Sequence, residues 1–349
     1  MILVCSETND LYKTLIELGL SIYRRYEDLN EALKNAVNND AVLILADDYP
    51  AKGGEISKDI LDVARNKSIR LYIEYPKSLP NIAFKEPKSI EYERIIVTSD
   101  FFLPELEEFS ILTVHSGWFL PIGENFYKSH LVLAKVAGYR KAIFGLPRDV
   151  FPVLFSLDKY NNVLISTTKL SNFITGRYAP VEDWKKLWIR ILKWLNGLND
   201  LIELRWKPLV STSYSLKDVL PENYEIKSFS RSVKWFKNNV IYSIDWKKGA
   251  IEGFESRINY EGRQLKRPVL RADCLSETAL VFAYSWMISK NPEDKKIATE
   301  ILNTIWFNPE FFQFDSNSPV YGLVNWGDRN PVFYGDDNAR VILSSLKVS

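Results

Sequence analysis

Residues 41–48, AVLILADD, set six apolar side chains in a row and then stop on two aspartates. A run this short with no polar face must be buried on both sides if it is a strand. The same signature opens the chain in MILVCS (1–6). It returns in IRLYIEY (69–75), ERIIVTSD (93–100), FSILTVHSGW (109–118), KAIFGLP (141–147) and NVLISTT (162–168). Between the first of these lie helical patterns, DLYKTLIELGL (10–20), DLNEALKNAV (28–37) and SKDILDVARNKS (57–68). Strands alternating with helices of about ten residues imply a parallel sheet covered on both faces.

Residues 1–200 are therefore expected to form an α/β domain, wound in a flavodoxin-like manner. Its last element is APVEDWKKLWIRILKWLNGL (179–198), where Trp184, Leu187, Trp188, Ile191, Leu192 and Leu195 recur at helical spacing between Pro180 and Gly197. Such a helix buries its apolar face either on its own sheet or against a second domain. Residues 201–230 are mixed and turn-rich and read as a linker. From 231 onward come a short helix RSVKWFKNN (231–239), strand-like segments with turns at KKG and EGR, and helices at 271–289, 292–307 and from 335. The C-terminal domain, 231–349, is expected to be mainly α.

Lysine plus arginine (45) nearly cancels aspartate plus glutamate (44), so no bulk field draws the chain to nucleic acid or an anionic membrane. No run approaches the roughly 18 apolar residues of a membrane span, and the N-terminus has no signal-peptide pattern. A cytoplasmic protein is expected. Cys5 and Cys274 have no neighbouring cysteine to make a metal or redox pair. There is no nucleophile elbow, no Walker A loop and no dinucleotide fingerprint, and KGGE (52–55) is short enough to be a turn. No cofactor or metal is expected. His115 ends a strand, where open α/β sheets hold ligands, but a lone histidine makes a weak case for a hydrolase.

Chemistry concentrates in the second half. IEGFES (251–256) holds Glu252 and Glu255, RADCLSE (271–277) holds Arg271, Asp273 and Glu277, and YGDDNAR (334–340) holds Asp336, Asp337 and Arg340. Asp273 and Glu277 stand four apart and Asp337 and Arg340 three apart, so each pair shares a helix face. Trp246, Trp326 and Tyr334 lie close by in sequence. Glycoside cleavage needs one carboxylic acid to protonate the leaving oxygen and one carboxylate to activate water or attack the sugar. Asp273, Glu277, Asp336, Asp337 and Glu252 are the candidates for these roles. Arg271 and Arg340 would orient substrate, and Trp246, Trp326 and Tyr334 would stack on sugar rings. The competing account is helix capping, since Asp273 and Asp336 both precede apolar-periodic helices.

The stretches 245–286 and 321–346, which carry these motifs, resemble the opening of a six-hairpin (α/α) toroid glycosidase domain. The stretch NVLISTTKLSNFITGRYAPVEDWKKLWIRILKWL (162–195) resembles the glutamine-amidotransferase-like domain fused ahead of such toroids. The resemblance implies a carbohydrate-active protein whose partner is an oligo- or polysaccharide, with acid/base hydrolysis of a glycosidic bond. It also implies that 231–349 holds only part of a toroid, so that a homo-oligomer or a second chain would complete it. Neither Cys5 nor Cys274 sits in an amidotransferase nucleophile context, so the first domain is expected to lack that chemistry. The alternative is a non-catalytic carbohydrate-binding or assembly protein.

Overall fold

The structure, a computed structural model, describes residues 1–19, 24–50, 53–115, 117–123, 127–196, 203–209, 211–215, 217–244, 247–258, 264–328 and 331–348. Two compact units result, one spanning Met1–Thr212 and a second beginning at Ser213. The boundary falls inside the 201–230 stretch. Leu204 is buried in the core of the first unit, and Trp206 lies 4.1 Å from Phe173 between ring centroids.

The first unit runs β1 (Ile2–Val4), α1 (Asp10–Glu17), β2 (Arg24–Tyr26), α2 (Leu29–Asn35), β3 (Ala41–Ile44), α3 (Lys58–Asn66) and β4 (Arg70–Glu74). It continues with β5 (Lys88–Ser89), β6 (Arg94–Val97), β7 (Ile111–Leu112), β8 (Trp118–Phe119), β9 (Tyr127–Ala134), β10 (Phe151–Leu157), β11 (Tyr160–Ser166) and α4 (Val181–Asn196). Side-chain caps open the early helices, because Asn9, Asp28 and Ser57 each accept a first-turn N–H.

Nine strands form one sheet in the order β2-β1-β3-β4-β11-β10-β9-β6-β7, and β5 pairs with β8 outside it. The all-parallel expectation holds for one half only. β2, β1, β3, β4 and β11 are parallel, whereas β11, β10, β9, β6 and β7 pair antiparallel. KAIFGLP supplies no strand. Ile143 and Phe144 are exposed, Gly145 has a positive φ, and only Lys141 makes a bridge, to Ser110. The antiparallel half rests instead on β9 (YKSHLVLA) and β10 (FPVLFSL), which His130 and Pro152 interrupt along with Lys128, Ser129 and Ser156. A proline argues against a strand reading, and the β9–β10 register shifts between Pro152 and Leu154.

Alternation along the strands splits the core in two. Leu3, Leu43, Tyr72 and Leu164 face α1 and α4, while Val42, Ile44, Leu71, Ile73 and Val163 face α2 and α3. The α4 residues Trp184, Leu187, Trp188, Ile191, Leu192 and Leu195 are all buried on this unit's own sheet, in contact with β3 and β4.

The second unit holds α5 (Tyr224–Asn239), the hairpins β12 (Ile241–Ile244) with β13 (Lys247–Ala250) and β14 (Gly253–Ile258) with β15 (Gln264–Arg267), and the helices α6 (Ala272–Ser289), α7 (Pro292–Trp306) and α8 (Gly335–Val348). An α/β unit is thus followed by a largely helical one. α5 starts seven residues before RSVKWFKNN, inside the expected linker. α6 and α7 form a helical hairpin joined by two residues. Lys290 takes the left-handed conformation, Asn291 caps α7 through Glu293 N–H at 3.1 Å, and Pro292 occupies the first helical turn. Leu275, Ala279, Phe282, Ile297, Ile301, Ile305 and Val341 are the core between α6, α7 and α8. Lys237 ties α5 to this hairpin through Glu293 (2.7 Å) and the buried Asp294 (2.5 Å), and Asp294 also accepts from Ser285. Among the described residues no helix is long and apolar enough to cross a membrane.

Candidate active site

The first turns of α6 and α8 converge and carry Asp273 and Asp337, both about 5% exposed. The segment before α8 fixes this approach. Asn338 accepts the Val324 N–H at 2.8 Å and donates to the Val324 and Tyr334 carbonyls. Asn325 donates to Glu310 and Gly327 and accepts the Val332 N–H. The chain so held pairs Gly327 with Arg271 in an antiparallel bridge, and the Ala272 N–H donates to the Trp326 carbonyl at 2.9 Å.

Arg271 is the centre of the resulting charge network. Its Nη2 donates to Asp273 Oδ2 at 2.8 Å and lies 4.0 Å from Asp337 Oδ1, while Nη1 reaches Glu252 Oε1 at 3.3 Å. The guanidinium carbon stands 5.2 Å from the Trp326 ring centroid, and Tyr334 meets that indole edge-on at 6.1 Å. Further out, Arg340 Nη1 is 3.5 Å from Glu277 Oε1 and 4.0 Å from Asp273 Oδ2. Arg267 Nε bridges Glu252 Oε2 (3.5 Å) and Glu255 Oε1 (3.7 Å).

Capping does not explain Asp273. The N-cap of α6 is Arg271, which makes no side-chain cap, and Asp273 sits inside the first turn with Oδ1 buried and without a fixed donor. The Asp337 carboxyl lies beside it. Burial first, then the charges of Asp273 and Asp336 and a hydrogen bond to Asp273, raise the Asp337 carboxyl above the usual carboxylate range against the pull of Arg271. A neighbouring carboxylate makes ionisation of Asp337 costlier, and the charge of Arg271 opposes that push.

Eight of the ten candidate residues belong to this network or its rim: Glu252, Arg271, Asp273, Glu277, Asp337, Arg340, Trp326 and Tyr334. Glu277, Arg340 and Tyr334 are exposed, Glu252, Arg271 and Trp326 half-buried. Asp336 is exposed and touches the network only through its field on Asp337. Trp246 lies outside the described residues. Arg267 was not among the candidates, because a lysine- and arginine-rich strand end carries no spacing signal. Among the described residues no group of three or more histidine, cysteine or acidic side chains is disposed to hold a metal ion.

The first unit offers a cleft of about 630 Å3 outside the carboxyl ends of β1 and β3, bordered by Cys5, Asp47, Gly53 and Ser57. Strand order reverses there, the usual ligand position of such sheets. The cysteine thiols are not activated. Burial pushes the Cys5 thiol up to about 12 and that of Cys274 up to about 11, so neither is a thiolate at neutral pH. Burial, then Arg177, lowers the pKa of half-buried His115. Of KGGE, Lys52 lies outside the described residues and Gly53 and Gly54 form no assigned turn; Gly53 instead passes close to the following loop, since a Cβ there would fall 1.8 Å from the Tyr75 carbonyl oxygen.

No family model, curated protein or solved structure matches this chain. Its functional reading rests on the chemistry of this network.

Proposed function

We propose that the chain is a cytoplasmic, carbohydrate-active protein related to glycoside hydrolases, whose second unit is the start of an (α/α) toroid and whose first is an amidotransferase-like domain without that family's chemistry. The observation that supports this best is a buried carboxyl of raised pKa, Asp337, beside an arginine-stacked indole and an exposed carboxylate. A general acid with a raised pKa is what protonation of a glycosidic oxygen requires. Asp337 is the acid, and Asp273 is the neighbouring carboxyl that raises its pKa. Asp273 cannot be the second catalytic carboxylate, because the two groups that flank a glycosidic bond stand about 5 Å or more apart. Glu277 fills that role, with Glu252 the next choice. Arg271 and Arg340 orient hydroxyl or carboxylate groups, and Trp326 and Tyr334 carry the sugar face.

The test is release of reducing ends from a panel of oligosaccharides by the wild-type chain and by Asp337→Asn and Glu277→Gln. Loss of turnover in both variants with binding retained supports hydrolysis. Full turnover in Asp337→Asn would sink it.

One observation favours the second reading, a binding or assembly protein completed by further copies or another chain. α6 leaves Tyr284, Met287 and Ile288 exposed, and α8 leaves Ile342, Leu343 and Leu346 exposed. Apolar faces of this kind are commonly covered in association.

A further inference from the structure

We propose that the groove along α5 is a binding subsite for an acidic saccharide, one bearing carboxylate or sulfate groups. This rests on the carbohydrate reading and adds the class of sugar. The groove measures about 600 Å3, and its other wall includes Ser213, Tyr214, Leu220 and Pro221. That volume suits a short stretch of saccharide.

Its floor is one face of α5, where two rows at helical spacing run from Tyr224 to Trp235, one through Lys227 and Arg231 and the other through Ser228 and Ser232. The other face, with Val233 and Phe229, packs into the unit's core, and Phe236 lies between the two, lining the groove and packing on the core. Two features make the groove face unlike an ordinary solvated surface. Lys227 and Arg231, one turn apart, have no carboxylate within ion-pair distance among the described residues, whereas Lys237 on the same helix has two. Around these cations Tyr214, Tyr224 and Trp235 each leave 41–47% of their surface in water. Unpaired cations between half-exposed rings and serine hydroxyls match a ligand that alternates anions, flat apolar faces and hydroxyls.

An acidic sugar chain has all three. Single-stranded nucleic acid also has anions and flat faces, but its affinity comes from many phosphate contacts. Two cations would give a salt slope of only about −1.4 for a single strand.

The test is calorimetric titration of the full chain with tetragalacturonate, a chondroitin sulfate tetrasaccharide, neutral cellotetraose and oligothymidylate, at low and at physiological salt. An acidic tetrasaccharide is expected to bind more tightly than cellotetraose or oligothymidylate. The double variant Lys227→Met/Arg231→Met and the single variant Trp235→Ala should each weaken it about tenfold or more, the loss of one good charge-assisted contact or ring stack. Circular dichroism checks that α5 persists in each variant. Equal binding by the double variant would overturn the subsite. Preference for cellotetraose would overturn it while leaving the carbohydrate reading standing. Absence of binding to all three saccharides would remove both, and tighter binding of oligothymidylate would assign the groove to nucleic acid instead.

Discussion

At the scale of single residues, burial sets the chemistry of the titrating groups in both units. His130 is 5% exposed, its Nδ1 2.9 Å from Ser99 Oγ and its Nε2 3.2 Å from Ser156 Oγ, with the Phe101 ring 4.6 Å away. Burial, then the charge of Lys128, lowers its pKa from 6.5 to about 4. The folded state therefore resists a proton that the unfolded state accepts. The stability this histidine contributes is complete above pH 6.5 and is lost as pH falls towards 4, by about 3 kcal/mol. His130→Gln should flatten that fall in urea unfolding measured from pH 7 to pH 4, and an unchanged slope would refute the assignment. Asp337 has the opposite sign. Its raised pKa means that its charged form destabilises the fold as pH rises through the folded value, so Asp337→Asn should raise the thermal midpoint at pH 7 and raise it less at acid pH. Glu74 is different again. Its buried carboxylate accepts from the Ala46 and Ser171 N–H groups, the Ser171 hydroxyl and the Tyr72 phenol. An amide cannot accept all four, so Glu74→Gln should cost about 1–3 kcal/mol in chemical denaturation.

At the scale of elements, α4 shows how a helix read from spacing becomes a core. Tyr72 of β4 meets Trp188 edge-on at 5.6 Å, and the Trp188 Nε1–H donates to the Leu170 carbonyl at 3.2 Å. Trp188→Ala should cost about 3–5 kcal/mol by opening a cavity under the sheet. A loss under 1 kcal/mol in the same denaturation assay would mean that the helix can collapse onto the gap. Periodicity in the sequence foretold this helix and its buried face. It also foretold β1, β3, β4, β6 and β11, whose apolar runs are unbroken. β9 and β10 escaped because a histidine and a proline interrupt them, and KAIFGLP misled because its composition resembles a strand although glycine and proline bend it into turns.

At the scale of the whole chain, the exposed apolar residues of α6 and α8 bear on assembly. Light scattering of the purified chain should report an oligomer, or a complex with a second chain. A monodisperse monomer at micromolar concentration would argue that these faces need no cover. Ile342→Glu with Leu346→Glu should then leave the mass unchanged, whereas in an oligomer the double variant should dissociate it.

The sequence by itself determined the α/β character of the first unit, the helical character of the second, and the residue types of the candidate site, because periodicity and motif spacing are local properties. Glu277 follows Asp273 by one helical turn, and that much can be counted along the chain. Only the tertiary structure decided that half of the sheet is antiparallel, since strand direction depends on partners far apart in sequence. It alone brought Asp337 against Asp273 and aligned Arg271 over Trp326. Those contacts join residues more than 50 positions apart, and the upward push on the Asp337 carboxyl exists only where burial and the charge of Asp273 act on it together.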